Sequence, residues 1–404
     1  MKNTMPSRDA PPPRDAATED RIPPVLIYRD QLLGPSEGFV LAQGEAFRRF
    51  RAFYAGSKRV AGGETPPART FLVNRGGRRG RLAELMFKMG GWEPNLYRWA
   101  ESMRPALMHA HFGPDGGLVL GLARKLGIPL VVTFHGFDVT MKDDYARRSF
   151  YLHRKYLQRR EELQQHGAAF VAVSEFIRDK LVAQGFPAER TFVRYIGVDT
   201  KRFRENTAVE RMPIALFVGR LSPEKGCDYL IRAMAQVQAA RRTCELVVIG
   251  DGPERDGLET LARQLRVRAR FLGRQPQDVV QAALTRASVF CAPSVTVDCG
   301  ESEGFGLSAL EAQATGTPVA GFATGGLREA VVHGVTGLLA PEGDQARLAE
   351  HILTLLNDPD LARRLGKAGR ARTVREFDLA RQTTLLEDLY STVLAGRSEG
   401  ELAA

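Results

Sequence analysis

The sequence predicts an α/β protein with two doubly wound parallel-sheet domains that face each other across a cleft. The chain has 404 residues, which is enough for about two domains. Short β-branched runs alternate with longer amphipathic stretches, which is typical of a parallel sheet covered by helices on both faces. The alternation starts again after the polar stretch 200–212, which indicates a linker followed by a second unit.

Four strands and one long helix are predicted in the first half. The strands are 24–28, 107–111, 129–135 and 170–174, and the helix is 146–165. In the second half, five predicted strands (214–219, 245–250, 268–273, 289–292, 318–322) alternate with four helices (228–238, 254–265, 276–285, 308–314). Three further helices are expected at 346–357, 359–370 and 378–395.

The expected domain boundaries follow from this alternation. A disordered tail at 1–22 precedes an N-terminal domain at 23–200 and a C-terminal domain at 201–378. A helix with a short tail occupies 379–404, and we expect that helix to cross back to the N-terminal domain.

Composition places the chain among globular proteins. Hydrophobic residues make up 44% and charged residues 26%. No apolar run approaches the ~20 residues that span a bilayer, and the first twenty residues lack the apolar core of a signal peptide. The cysteines form no Cys-x-x-Cys pair, so we expect reduced thiols in a cytoplasmic protein rather than disulfides or a zinc site. They are Cys227, Cys244, Cys291 and Cys299.

The positive charge is concentrated in one stretch. The formal net charge is +10, and residues 41–100 hold twelve Lys or Arg against four Glu, a net of +8. One interpretation is a solvated basic surface. The other is a patch facing anionic lipid at the inner face of the membrane, or a pyrophosphate-bearing acceptor. Nucleic acid is not expected as a partner, because no nucleic-acid motif accompanies the charge.

The segment 303–311 is the strongest candidate for a ligand site. Two carboxylates, Glu303 and Glu311, flank a turn that contains Gly304 and Gly306 and leads into a predicted helix. Such a turn exposes backbone N–H groups at a helix N-terminus, where a diphosphate binds well. Glycines allow the ligand to approach the backbone closely. Glu303 is placed to bind sugar hydroxyls and Glu311 to bind ribose hydroxyls.

Two cations are expected at the same edge of the second sheet. Arg220 and Lys225 lie in the loop after strand 214–219, at the carboxyl end of the sheet, where open α/β sheets bind their ligands. Two cations in this place would neutralise a leaving diphosphate.

The second half resembles the retaining glycosyltransferases of family 4, which have the GT-B fold of two Rossmann-like domains. The resemblance covers about 180 residues and rests on several motifs in order. They are Gly219-Arg220 with Lys225-Gly226, Val-Ile-Gly-Asp-Gly-Pro at 248–253, Pro293-Ser294, the pair Glu303 and Glu311, and Gly-Thr-Pro-Val at 316–319.

The first half is similar to the acceptor domain of the same family, particularly in bacterial exopolysaccharide enzymes of the colanic-acid type. Four motifs carry this likeness. They are His-Ala-His-Phe-Gly at 109–113, Val-Thr-Phe-His-Gly-Phe-Asp at 132–138, Val-Ser-Glu-Phe-Ile at 173–177 and Gly-Val-Asp at 197–199.

The resemblance implies roles for the matched residues. Arg220, Lys225, Glu303 and His135 would form the catalytic set, with His135 near the donor sugar. The donor-binding set would be Gly219, Phe305, Gly306, Leu307, Glu311, Pro293, Ser294 and Gly38. Asp138 and His111 would position loops or face the acceptor.

The implied reaction is transfer of a hexose-type sugar from a UDP- or GDP-sugar to a hydroxyl of a glycan or of a polyprenyl-diphosphate-linked acceptor. Retention would follow from front-face attack, in which the leaving diphosphate takes the acceptor proton. No metal or other cofactor is expected, because Arg220, Lys225 and helix N-termini would do a metal's work. His109 and His111 share one strand face, but nothing nearby completes a metal site, so a structural role is favoured.

One loop departs from the family pattern. Many members carry a Gly-Gly loop after the first strand, whereas this chain has 33–38, similar to the Ser-Glu-Thr-Phe loop of some exopolysaccharide enzymes with Gly38 in place of Thr. We expect Gly38 to allow close approach to the donor phosphates, but Glu37 conflicts with a diphosphate there.

Two other functions stay open at this point. A GT-B enzyme of the epimerase type would isomerise a nucleotide-sugar without an acceptor, and a non-catalytic protein would bind the donor without turnover. The sequence leaves the donor base, the sugar and the acceptor undetermined.

Overall fold

The computed structural model describes residues 22–34, 37–60, 62, 64–149 and 151–396. The expected tail at 1–22 therefore lies outside the described residues except for its last position. Pro35, Ser36 and residues 397–404 also lie outside them.

The N-terminal half forms a seven-stranded parallel sheet in the order β5-β3-β1-β6-β7-β8-β9, and β2 pairs separately with β4. The strands are β1 (Pro24–Tyr28), β2 (Gln31–Leu32), β3 (Arg51–Gly56), β4 (Lys58–Arg59), β5 (Thr70–Leu72), β6 (Leu107–His111), β7 (Leu130–Phe134), β8 (Ala169–Ala172) and β9 (Thr191–Val193). The helices are α1 (Gly38–Glu45), α2 (Gly77–Gly90), α3 (Pro94–Met103), α4 (Gly113–Leu126), α5 (Phe137–Thr140), α6 (Asp143–Ser149), α7 (Tyr151–His166) and α8 (Glu175–Ala183).

The C-terminal half forms a six-stranded parallel sheet in the order β12-β11-β10-β13-β14-β15. Its strands are β10 (Met212–Val218), β11 (Glu245–Ile249), β12 (Ala269–Phe271), β13 (Ala287–Ala292), β14 (Val319–Phe322) and β15 (Gly337–Ala340). Its helices are α9 (Cys227–Ala240), α10 (Arg255–Gln264), α11 (Gln277–Arg286), α12 (Leu307–Ala314), α13 (Leu327–Ala330), α14 (Gln345–Asn357), α15 (Pro359–Glu376) and α16 (Leu379–Leu394).

The strand order reverses once in each sheet, between β1 and β6 and again between β10 and β13. At such a switch point the neighbouring loops run to opposite faces, which opens a crevice at the carboxyl ends of the strands. The central strands are buried along their length, as β7 shows with five buried residues out of five. Burial on both faces explains why these strands read as continuous apolar runs.

Helix α16 crosses back and packs on the first sheet, as expected. The hydroxyl of Tyr390 lies 2.5 Å from Nδ1 of His109 on β6. Glu387 accepts hydrogen bonds from the backbone N–H groups of Arg48 and Arg49, at 2.8 and 2.7 Å. These buried contacts join the last helix of the chain to the start of β3.

Six of the described strands were missing from the sequence prediction: the two-residue strands β2 and β4, and β3, β5, β9 and β15. Three of them (β5, β9 and β15) have only three or four residues and lie at or next to a sheet edge. β3 begins with Arg51 and its middle residues are aromatic, so its alternation is weak. Among the described helices none is long and apolar enough to cross a membrane.

Candidate active site

The expected site residues of the second sheet gather at its switch point. β10 leads into Gly219 and Arg220, and β13 leads into Pro293 and Ser294. The loop after β10 turns at Gly226, whose φ is +62°, and a Cβ there would lie 2.0 Å from the carbonyl oxygen of Pro293. Only glycine allows these two loops to come this close.

An ion pair occupies the centre of this crevice. Nζ of Lys225 lies 2.8 Å from Oε2 of Glu303, and Oγ of Ser294 donates to the same oxygen at 3.1 Å. The three side chains line one hollow together with Gly219 and Gly306. The structure thus brings together five residues that the sequence assigned to one site.

The electrostatics of the pair favour its charged form. Burial raises the pKa of Glu303, but Lys225, Ser294 and the Phe305 amide together lower it below its ordinary value. Burial likewise lowers the pKa of Lys225, and Glu303 outweighs this so that the ammonium is held more tightly than usual. Both shifts say that the pair stays ionised at neutral pH.

The turn after Glu303 is held against the other domain. A Cβ on Gly304 would lie 2.0 Å from the carbonyl oxygen of His135, and Gly306 has φ +95° at the start of α12. The ring of Phe305 is buried and stacks on Tyr195 at 5.1 Å between centroids. The Phe305 side chain therefore packs in the core, and the half-buried Leu307 side chain at the helix start packs against the same core. A donor contact by Phe305 would have to come from its backbone.

Glu311 lies one and a half turns into α12 and is half-buried. Its carboxylate takes part in no hydrogen bond with the described residues. Burial raises its pKa to about 7, against a lowering effect of Arg202. A half-buried carboxylate without a partner is suited to accept hydrogen bonds from a ligand. Arg202 escaped prediction because it stands in the linker, outside every motif.

Arg220 is placed apart from the ion pair. It is exposed and makes no hydrogen bond or ion pair within the described chain. Burial and the charge of Glu224 raise the pKa of Glu301 to about 6, and the charges of Lys225 and Arg220 act in the opposite direction. Arg220 thus stands at the rim of the crevice while Lys225 stands inside it.

His135 faces this site from the first domain. Its Nε2 lies 3.0 Å from Nδ1 of His111, and its ring packs against Phe112 and Phe39 at 4.5 and 5.1 Å. Its Nδ1 is buried without a hydrogen-bond partner in the described structure. Burial, Arg29 and His109 lower the pKa of His135 well below its ordinary value, so the imidazole is neutral.

Asp138 holds the loop that carries His135. Its carboxylate accepts hydrogen bonds from the backbone N–H groups of His135, Gly136 and Gly113, at 3.1, 2.9 and 3.0 Å. Burial nevertheless raises its pKa above the ordinary value. With all three bonds directed to backbone groups, the side chain fixes the loop's shape.

His111 and His109 pack side by side, with ring centroids 4.4 Å apart. His109 contacts Tyr390 and Thr133, and burial lowers its pKa to about 3. No group of three His, Cys, Asp or Glu suited to hold a metal ion occurs among the described residues.

The sequence contains an Asp-x-Asp string at 358–360. Its first residue, Asp358, caps the N-terminus of α15, where its carboxylate accepts a hydrogen bond from the backbone N–H of Leu361 at 2.9 Å.

The loop before α1 resolves the conflict expected for Glu37. Its carboxylate is bound by Arg29 through two hydrogen bonds of 2.7 and 3.0 Å. Arg29 also binds Asp115 at 2.9 Å and lies over the Phe112 ring. Glu37 is therefore held in an ion pair with Arg29. Gly38 starts α1 in open space, where a Cβ would meet only Gln277, at 3.9 Å.

Hydrogen bonds join the two domains beside this site. Oγ of Ser174 donates to the Gly304 carbonyl at 2.7 Å, and the Lys142 amide donates to Cys299 at 2.8 Å. Glu329 accepts from the amides of Glu175 and Phe176, at 2.8 and 2.9 Å. The crevice of the second sheet thus opens toward His135 of the first domain.

Two family models match the chain. Residues 198–372 match "Glycosyl transferases group 1", and residues 56–202 match "Glycosyltransferase Family 4". A glycogen synthase of Mycobacterium tuberculosis is 31% identical over 307 residues, covering 74% of this chain and 71% of the relative. The chain belongs to the family 4 glycosyltransferases.

Other family 4 relatives and solved structures agree. A putative colanic acid biosynthesis glycosyltransferase of Salmonella typhimurium is 28% identical over 70% of each chain. Anabaena HepE, solved with UDP and glucose, is 22% identical with a TM-score of 0.72 over 91% of this chain and 99% of HepE. Sucrose-phosphate synthase of Thermosynechococcus elongatus is 23% identical with a TM-score of 0.74 over 93% of this chain and all of the other. The expected GT-B arrangement of the family is confirmed.

Proposed function

We propose that this glycosyltransferase moves a hexose-type sugar from a UDP- or GDP-sugar to a hydroxyl of a glycan or lipid-linked acceptor, with retention and without a metal. The observation that carries the proposal is the partly buried ion pair of Lys225 and Glu303. It lies beside a glycine turn at a helix N-terminus, where a diphosphate and a sugar would meet.

The donor would lie along the start of α12. The diphosphate would contact the backbone near Gly306 and the ammonium of Lys225, with Arg220 closing over it from the rim. The unpartnered carboxylate of Glu311 would accept from the ribose hydroxyls. Glu303 is charged and already accepts from Ser294 and Lys225 at one oxygen, so its other oxygen would bind a sugar hydroxyl.

The proposed reaction breaks the bond between the anomeric carbon and the diphosphate oxygen and forms one from that carbon to the acceptor oxygen. The acceptor proton passes to the departing diphosphate. The charge that grows on the diphosphate in this step is offset by Lys225 and Arg220, so positioned cations would supply the main catalytic effect. Glu303 positions the sugar and is not a nucleophile.

His135 would act as a neutral polar group on the far side of the sugar. Its low pKa leaves no positive charge beside the developing oxocarbenium ion, and its unpartnered Nδ1 is available to a sugar hydroxyl. Asp138 would keep the loop in this position.

The acceptor is proposed to be a bacterial surface glycan or its polyprenyl-diphosphate-linked precursor. Two observations support this choice. One is the relative involved in colanic acid biosynthesis, and the other is the basic first domain, which suits a diphosphate-bearing acceptor. We place the enzyme in the cytoplasm, in peripheral contact with the inner membrane face.

A thermal-shift screen with UDP- and GDP-sugars tests the donor. We expect one nucleotide series to raise the melting temperature and the other to leave it unchanged. Incubation with the stabilising donor should then release its nucleoside diphosphate, and NMR of the first-formed product should show the donor's anomeric configuration.

Three outcomes would contradict the proposal. An unchanged melting temperature with both nucleotide series would contradict the proposed donor site. Isomerised donor without transfer would favour an epimerase. Binding without turnover on any acceptor would favour a non-catalytic protein.

A further inference from the structure

Helix α2 turns a stripe of large apolar side chains away from the protein. Its members are Leu82, Leu85, Met86 and Met89, which are 59, 55, 58 and 55% exposed. At 3.6 residues per turn they fall within about 100° of one another, opposite the buried Gly80 and Phe87. Single apolar residues are ordinary on a surface, whereas a continuous stripe marks an interaction site.

Unpaired arginines border this stripe. Arg78, Arg79 and Arg81 are exposed and make no hydrogen bond or ion pair with the described residues. In projection, Arg79 and Arg81 lie on opposite sides of the stripe. The acidic residue of α2, Glu84, is turned inward, where Asn74 and Lys88 each donate to it at 2.7 Å. The outward face of the helix therefore offers apolar groups and positive charge together.

Helix α2 carries four of the twelve cations of residues 41–100, and three of these four have no ionic partner among the described residues. Elsewhere in the stretch, some cations are paired at the protein surface: Arg49 pairs with Asp388 at 2.7 Å and Arg69 with Glu45 at 2.6 Å. The basic stretch is thus only partly a solvated surface, and α2 is where its unpaired cations adjoin apolar groups.

A partly exposed aromatic side chain follows α2 directly in the chain. Trp92 is 36% exposed, and Nζ of Lys125 lies 3.7 Å from the centroid of one of its rings. A partly exposed Trp beside a Lys is typical of side chains that lie at a membrane–water interface.

We propose that α2 docks the protein on an anionic lipid bilayer. The helix lies parallel to the membrane with the stripe buried among the upper acyl chains, and the arginines contact phosphate groups of the lipids. Apolar insertion and attraction to anionic headgroups act together in this kind of binding, and each is weak without the other.

A second copy of the chain suits this surface less well. In a twofold interface the same patch meets itself, so the arginines of both copies would enter one interface. Glu84, the acidic residue of α2, is already bound by Asn74 and Lys88 and would not pair with them. Like charges across an interface are unfavourable, whereas a layer of phosphates neutralises them. The arginines beside the stripe therefore favour a lipid surface over a second copy of the chain.

Docking through α2 would bring the cleft close to the membrane. Lys88, on the inner side of α2, pairs at 3.1 Å with Asp30, which follows the carboxyl end of β1. The Asp30 amide in turn donates to Asp115 at 2.7 Å, and Asp115 binds Arg29 beside the His135 loop. Delivery of a lipid-linked acceptor along this route rests on the proposed function, but membrane binding itself needs neither donor nor turnover.

Vesicle co-sedimentation of the full chain tests the proposal. The vesicles are phosphatidylcholine with about one-third phosphatidylglycerol, against phosphatidylcholine alone. The apolar variant combines Leu85→Ser, Met86→Ser and Met89→Ser, and the charge variant combines Arg78→Gln, Arg79→Gln and Arg81→Gln. The matched controls are Met212→Ser with Val335→Ser, which are 51 and 55% exposed in the second domain, and Arg364→Gln with Lys367→Gln on α15.

We expect the wild type and both controls to sediment with the anionic vesicles. The apolar variant should bind at least about tenfold more weakly. The charge variant should bind about 100-fold more weakly, near fivefold for each cation removed. All variants should keep the wild-type melting temperature, since the substituted side chains are exposed.

Two results would overturn the proposal. One is a wild type that stays in solution, or α2 variants that sediment as well as the controls. The other is a molar mass by light scattering of twice the monomer, which falls to the monomer value in the apolar variant, because a second copy would then cover the stripe. Loss of donor turnover with intact vesicle binding would leave docking in place and count only against the proposed function.

Discussion

Lys225→Ala removes the partly buried cation of the candidate site. The ammonium lies 2.8 Å from Glu303, with the two side chains 28 and 15% exposed. In the proposed reaction this charge stabilises the leaving diphosphate. Loss of one preorganised group of this kind costs about 3–4 kcal/mol in the transition state, which corresponds to roughly 10²–10³ in kcat.

The same substitution changes the fold's response to pH. The pKa of Glu303 is lowered in the folded state, so its contribution to stability is present above its unfolded pKa of about 4.3 and is lost as the pH falls through the folded pKa. The pKa of Lys225 is raised, so its contribution is present below about 10.4 and is lost as the pH rises through the folded pKa. The difference in melting temperature between wild type and variant should therefore be largest between these limits and shrink below about pH 4.

The assay is release of the nucleoside diphosphate under saturating donor, with melting temperatures measured on the same samples. Lys367→Ala, an exposed lysine on α15, serves as the matched control and should keep full turnover. Near-normal kcat in a folded Lys225→Ala protein would refute the phosphate role. A loss of turnover explained by unfolding at the assay temperature would be recognised from the melting curves, and Lys225→Met, which keeps the apolar stem, would then decide.

Three further predictions concern other parts of the molecule. Glu311→Gln should weaken nucleotide affinity about tenfold by calorimetry, and unchanged affinity would contradict the ribose role. Burial raises the folded pKa of Glu311 to about 7, so the variant should also gain stability over the wild type as the pH rises from about 4.5 to 7. Gly304→Ala places a methyl group 2.0 Å from the His135 carbonyl and should lower kcat at least about tenfold with the fold intact, whereas full activity would refute close apposition of the two domains. Glu387→Ala leaves three backbone amides near β3 without their acceptor and should destabilise the protein by about 2–4 kcal/mol in urea unfolding. A change below about 0.5 kcal/mol would show that α16 is held in another way.

Local patterns predicted the parts of the fold that depend on local sequence. The central strands β6, β7, β10 and β11 are mostly apolar because most of their residues are buried, and their positions agree with the prediction to within two residues. Short edge strands such as β9 and β15 have only three or four residues, which is too few for hydrophobic periodicity to identify a strand. Their formation depends on pairing with β8 and β14, which is a tertiary effect.

The candidate site also has residues that local sequence patterns predicted and residues that they did not. Lys225, Glu303 and Glu311 were predictable because glycines and loops at the carboxyl ends of strands mark them in sequence. Arg29 was not, since its importance comes from Glu37 and Asp115, the latter 86 positions away, which it neutralises. The stripe on α2 was also missed, because the sequence pattern of an exposed apolar face is the same as that of a face packed in the core. The exposure of these side chains among the described residues tells the two apart.

Calorimetric titration with UDP and GDP tests the central claim most directly, since the crevice around Lys225 and Glu303 is proposed to hold a nucleoside diphosphate. The account predicts saturable binding of one of the two nucleotides by the wild type, weakened at least about tenfold in both Lys225→Ala and Glu311→Gln. Failure of the wild type to bind either nucleotide, or equal affinity in wild type and both variants, would contradict it.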